Sequence, residues 1–169
     1  MRFLIAFTAI GLAALSSAAA QAENWQKYQP PDIGFSIEMP AAPVLKTDKV
    51  SGRPAYSATV AFDKAQAGAD KVFLVKYQEA RKDLGSDTGP ILDRVVKAML
   101  EGNKVLSEKK ETLGGYPARR FAFQDADKDT YEVRSVITPK YFIQAIFLGP
   151  ASDPLGKRFL DSFTISDDE

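Results

Sequence analysis

Residues 113–121 read LGGYPARRF. Two glycines, an aromatic residue, a proline and two arginines stand in a row. Glycine reaches positive φ without steric cost and proline fixes its own φ, so Gly114-Gly115-Tyr116-Pro117 predicts a tight turn between two strands. The competing reading is an anion-cradling loop. Such a loop needs glycines that feed a helix N-terminus, with a lysine and a hydroxyl following. No helix starts here: a lysine-rich strand over 104–112 precedes the glycines and a strand over 118–124 follows them, so the turn is favoured.

Working outward, DADKD at 125–129 joins the strand 118–124 to another over 130–138, and a strongly apolar strand covers 141–148. If DADKD closes a hairpin, Arg120 comes to lie beside Arg134, with Glu132 diagonal to both. Phe121 and Phe123 then share the other face with Tyr131 and Val133. Like charges directly opposed on a sheet destabilise it unless something negative sits between them. Glu132 is the expected mediator. The functional alternative is a small cationic patch that receives an acidic partner or ligand, and Arg119, on the opposite face near the turn with Tyr116, fits either account. Asp125, Asp127 and Asp129 imitate the start of a calcium loop, but Thr130 stands where glycine belongs and Val136 where the bidentate glutamate belongs. A solvated turn is expected, and no metal or cofactor is assigned.

Before this region, Phe35, Ile37 and Met39 alternate with smaller or polar residues, which predicts a half-buried strand ended by Pro40 and Pro43. A weaker alternation covers 56–62, and AQAGAD at 65–70 reads as a loop tip. The unbroken apolar run 72–75 predicts a central strand covered on both faces. Residues 79–89 are polar and irregular. Pro90 then opens a helix whose Ile91, Leu92, Val95, Val96, Met99 and Leu100 form one apolar stripe, ended by Gly102-Asn103. Asp93 and Glu101 are expected on its outer side. Ser152-Asp153-Pro154 opens a second, shorter helix with an acidic cap and a proline just inside. Leu155, Phe159 and Leu160 share one of its sides, Phe163 and Ile165 follow, and 166–169 is an acidic tail. Strands in sequence-adjacent groups with two helices predict an α+β domain, with one antiparallel sheet of about six to seven strands flanked by helices.

Composition limits the chemistry. The 169 residues include 22 Lys+Arg and 22 Asp+Glu, with no His and no Cys. A near-neutral chain offers no field for nucleic acid. Without His or Cys, no Ser-His-Asp or Cys-His arrangement is possible, nor any zinc site that needs those ligands. No nucleophile stands beside a plausible base. Arg2, an apolar run over 3–15, small residues over 16–20 and Ala20-Gln21-Ala22 predict a cleavable signal peptide over 1–22. The mature domain is then 23–169, periplasmic or secreted, with no membrane span after cleavage. Trp25 and Tyr28, three residues apart, are expected to clasp the domain; ligand stacking is the other use for them.

The chain resembles the PsbP-like family, including its bacterial envelope relatives. The resemblance is carried by the aromatic pair before G-F-S-I-x-M-P (Gly34 to Pro40), by L-G-G-Y-P-A-R-R (Leu113 to Arg120), and by R-F-L-D-S-F (Arg158 to Phe163). It implies an antiparallel sheet sandwiched between helices (α/β/α) and an accessory or binding role without enzymatic chemistry. The expected function is a non-enzymatic protein, present as a single copy, that contacts an envelope protein. A small-ligand binder with a pocket between sheet and helix is the alternative, and a hydrolase using only Asp, Glu, Ser, Tyr or Lys is the third reading.

Overall fold

The computed structural model describes residues 24–80 and 87–166. The expected leader, its cleavage site, most of the irregular segment 79–89 and the end of the acidic tail lie outside the described residues.

Gly114 and Gly115 have φ of 55° and 81°. They form the two-residue loop of a hairpin in which β6 (Lys104–Leu113) pairs with β7 (Tyr116–Gln124), Leu113 opposite Tyr116. Two successive positive φ values make the turn whose twist matches that of the strands it joins. The chain continues antiparallel into β8 (Thr130–Ile137) and β9 (Tyr141–Leu148). Arg120 lies opposite Arg134, and Phe123 opposite Tyr131 on the other face, the pairing expected if 125–129 closes a hairpin. At the 125–129 turn the Asp125 carboxylate accepts from the backbone N–H groups of Asp127 and Asp129, both at 3.0 Å.

A second hairpin went unread in the sequence. β3 (Val44–Val50) and β4 (Arg53–Phe62) pair through all seven residues of β3. Their loop is Ser51-Gly52, with φ of 52° and 78°, the same turn geometry as Gly114-Gly115. β4 pairs with β5 (Lys71–Glu79) and β5 with β9, giving a seven-stranded antiparallel sheet in the order β3-β4-β5-β9-β8-β7-β6. The expected loop tip at 65–70 contains a one-turn helix, α1 (Lys64–Ala67). Asp63 and Gln66 cap it reciprocally, and Gly68 closes it at φ 75°.

Two layers cover the sheet. On one side lies α2 (Gly89–Leu100), whose Leu92 and Val96 are fully buried against Phe121, Phe123, Val133 and Ile137. Thr88, just before it, donates its hydroxyl to the Ile137 carbonyl at 3.0 Å and fixes the helix to the end of β8. On the other side lie α3 (Pro154–Asp161) and a three-stranded sheet of β1 (Gln26–Tyr28), β2 (Phe35–Met39) and β10 (Thr164–Ile165), with β2 in the middle. Phe35, Ile37 and Met39 alternate inward as expected and join Phe73, Val75, Ile143, Phe147, Phe159 and Phe163 in the larger core. Asp153 caps α3 by accepting from Leu155 N–H at 2.8 Å. Its other carboxylate oxygen meets Lys71 at 2.8 Å, where both side chains are about nine-tenths buried. The chain has ten strands and three helices among the described residues, not the seven and two expected. The fold class, an α+β single domain, is as predicted.

β5 corrects one expectation. Phe73, Val75 and Tyr77 are buried on the side of the small sheet, but Val72, Leu74 and Gln78 are only half-buried and Lys76 is exposed on the α2 side. α2 packs over β7, β8 and β9, and no residue of β3, β4 or β5 belongs to the core beneath it.

Candidate functional site

Arg120 and Arg134 share the face that carries α3, and each has its own carboxylate. Arg134 donates from Nε to Glu111 at 2.6 Å, with both side chains about 15% exposed. Its Nη1 also donates to the carbonyls of Leu160 and Phe163, each at 3.1 Å. One guanidinium therefore ties β8 to the edge strand β6 and to backbone carbonyls at and just beyond the C-terminal end of α3. Arg120 pairs with Asp161, which also receives Lys157 one helical turn earlier. Burial opposes the charge on Asp161, and the hydrogen bonds from Lys157 and Arg120 outweigh it, so its carboxyl titrates below the usual carboxylate range.

The expected mediator is displaced. Glu132 lies opposite Ala122 and accepts from the backbone N–H of Ser152 at 3.0 Å. Charge compensation comes instead from Glu111 and Asp161, on elements that the hairpin alone does not contain. Arg119 is also placed differently from the expected grouping with Tyr116. Strand alternation puts Arg119 on the α2 side, while Tyr116 packs against the larger core on the other. Arg119 is 5% exposed and donates from Nε to Asp93 at 2.7 Å. Asp93 is thus turned toward the sheet edge and not outward. It lies between Arg119 and Lys110, a directly opposed like-charge pair. The hydrogen bond from Arg119 is the main reason the Asp93 carboxyl is held below its ordinary range.

Trp25 and Tyr28 sit at opposite ends of the short β1 segment. Trp25 meets Phe73 edge-on at 6.1 Å between ring centroids and carries the Arg158 guanidinium over its own ring at 4.3 Å. Arg158 in turn donates to Glu38 at 2.8 Å. The Trp25 indole N–H has no hydrogen-bond partner among the described residues. Tyr28 reaches the hydroxyl of Tyr77 at 3.2 Å, and Tyr77 stacks on Tyr56 at 5.2 Å. Burial, and then the Tyr28 contact, push the Tyr77 hydroxyl far above its ordinary range. Both aromatics clasp the small sheet onto the large one. The seven residues singled out from the sequence (Trp25, Tyr28, Tyr116, Arg119, Arg120, Glu132 and Arg134) are therefore spread over both faces and do not form one patch.

The open region lies elsewhere. On the α2 side, beyond the reach of that helix, β3, β4 and β5 present Val44, Val50, Thr59, Val72 and Leu74 partly or fully to solvent. A pocket of about 290 Å³ borders this area, lined by residues of β3, β4, β5 and β9 that include Asp48, Tyr56, Lys76, Tyr77, Phe142 and Gln144. Gln144 is held by its bond to Ser135 at 3.0 Å. No helix contributes to this pocket. A shallow cleft between α2 and β6 is lined mostly by charged groups, among them Asp93, Lys97, Glu108 and Lys110. Sequence reasoning missed the open region because it missed β3. Ser51-Gly52 between Val50 and Arg53 was the available signal.

A scan against protein-family models finds no match, and a search of curated proteins finds none. Among solved structures, the chain is similar to cyanobacterial PsbP from Synechocystis sp. PCC 6803, at 15% identity over 83% of this chain and 92% of that one, with a TM-score of 0.49. A Bacteroides thetaiotaomicron protein matches at 11% identity and TM-score 0.42, over 85% of this chain and 49% of that one. The protein of unknown function PA94 from Pseudomonas aeruginosa matches at 14% identity and TM-score 0.42, over 79% and 88%. Likeness at this level concerns the path of the chain and carries no function with it. No helix among the described residues is long and apolar enough to cross a membrane.

Proposed function

We propose that this is a non-enzymatic binding protein of the cell envelope, exported by its leader, that engages a protein partner through the open β3–β4–β5 part of its large sheet. The observation that carries this reading is the uneven cover of the sheet: α2 closes β7, β8 and β9, while Val72 and Leu74 on β5 remain half-exposed beside the exposed β3. Partly exposed apolar side chains framed by Lys46, Asp48 and Lys76 have the make-up of a contact surface. The test is capture from envelope extract with the purified protein and with Leu74→Glu. A reproducible partner lost in the variant is expected. Equal capture by both proteins, or no reproducible capture, overturns the reading.

The pocket beside Tyr56 and Lys76 favours a second reading, a small-ligand site. A ligand that binds the folded state only raises the melting temperature, by about 2.7 kcal/mol of added stability at a hundredfold excess over Kd. A screen of envelope metabolites and lipids in which Lys76→Ala abolishes the shift is the expected result of that reading.

A further inference from the structure

We propose that the free edge of β3 is a self-complementary interface that pairs with β3 of a second copy, antiparallel, about a two-fold axis at Thr47. This replaces the single copy expected from the sequence and does not depend on the partner reading above.

Every residue of β3 is exposed, and its register with β4 runs from Val44↔Thr59 to Val50↔Arg53 without a bulge. One side of the strand is therefore paired and regular, and the other presents its backbone groups along a straight edge, a template for a further strand. The edge also carries apolar side chains. Val44 is 63% exposed, Leu45 62% and Val50 48%, three of the five exposed large hydrophobic residues among those described.

The sequence VLKTDKV sets the occupant. A two-fold axis perpendicular to the sheet keeps each residue on its own face, so opposed residues must have the same parity. With the axis at Thr47, Val44 opposes Val50, Leu45 opposes the stem of Lys49, and Lys46 opposes Asp48. Each of these pairs occurs twice. Shifting the axis to Lys46 or Asp48 sets that charge against its own copy, which is unfavourable on a sheet. Thr47 is thus the central position that leaves every charge beside an opposite charge or an aliphatic stem. The pairing would extend two seven-stranded sheets into one, with both open faces on the same side.

Sedimentation equilibrium over a wide concentration range tests the assembly. A reversible dimer is expected, weakened by salt because two of its pairs are ionic. Lys46→Asp and Asp48→Lys singly are expected to raise the dimer dissociation constant about tenfold or more, each turning two attractive pairs repulsive. Lys46→Asp with Asp48→Lys restores the complementarity and is expected to restore the dimer. The chain has no cysteine, so Thr47→Cys introduces a lone thiol beside its own copy, at a cross-strand spacing that suits a disulfide. Mild oxidation is expected to link it into dimers far faster than Ser107→Cys on β6. A monomer at every concentration, a double variant that does not recover, or equal cross-linking at both positions overturns the proposal. So does a monomer whose β3 amides are shielded only when envelope extract is added, which assigns the edge to another protein.

Discussion

β6 and β3 bound the same sheet on opposite sides, and both are long, exposed strands with one unpaired flank. β6 is anchored by its side chains. Glu111 holds Arg134, Lys110 shares Asp93 with Arg119, Leu113 enters the core, and a bulge between Val105 and Ser107 breaks the straight edge. Lysines at 104, 109 and 110 discourage a further strand. β3 also carries lysines, at 46 and 49, but lacks the other devices: no ion pair among the described residues includes it, none of its side chains is buried, and its register is unbroken. An edge strand can therefore belong to the body of a protein through its side chains, or be held only by its backbone and left available.

Removing a carboxylate from each edge tests this difference most severely. Glu111→Leu leaves the buried Arg134 without its counter-charge. Breaking a buried pair costs roughly 3–5 kcal/mol, and slight exposure places the expected loss near about 3 kcal/mol. Asp48→Leu on β3 is expected to stay within about 0.5 kcal/mol, as for other surface sites. Urea midpoints measure both, and equal losses would break the comparison.

The turns give the next contrast. A Cβ on Gly114 would lie 2.6 Å from the Ile165 Cβ and 2.9 Å from its carbonyl oxygen, in addition to the strain of positive φ. A Cβ on Gly52 would meet nothing within 4 Å, so only the strain remains. Gly52→Ala is expected to cost about 1 kcal/mol, and Gly114→Ala clearly more, because β10 must move. Thermal unfolding of the two variants ranks them.

pH sharpens the comparison further. A carboxyl held low in the folded state contributes stability above its unfolded pKa of about 4 and loses it as pH falls through the folded value. Asp93 beside Arg119 is such a group. Stability is therefore expected to drop as the solution is acidified below about pH 4, and Asp93→Asn is expected to flatten that drop. Lys49→Ala on β3 sits at the small end, with folding stability unchanged within about 0.5 kcal/mol.

How much of this was legible depended on whether the deciding partner lay nearby in the chain. Gly114-Gly115 and the 125–129 turn fix the register of their own hairpins, so Arg120 could be set opposite Arg134 from sequence alone. The carboxylates that neutralise them are Glu111, on a neighbouring strand, and Asp161, on α3. Their choice depends on how α3 seats on the sheet, which no local pattern encodes. Nearby Glu132 was the natural guess, and the Ser152 amide claims it. β3 was missed because prolines at 40, 43 and 54 punctuate the region and VLKTDKV, exposed on both faces, has no apolar alternation to read. Gly156 was missed for a related reason. A Cβ there would reach the fully buried Phe147 ring, with Cγ at 2.7 Å. The need for glycine arises only where α3 rests on β9.

The seam between β5 and β9, from Val72↔Leu148 to Glu79↔Tyr141, joins two runs of strands that are otherwise each connected hairpin by hairpin. Loop closure between such distant segments carries the larger entropic cost, so the two runs are expected to form first and to zip together last. Side-chain truncation at Val75 or Ala145 should then slow refolding less than it speeds unfolding, whereas truncation within a single hairpin should act mainly on the folding rate. A chain nicked in the connection between β5 and α2 should yield two pieces that find each other again.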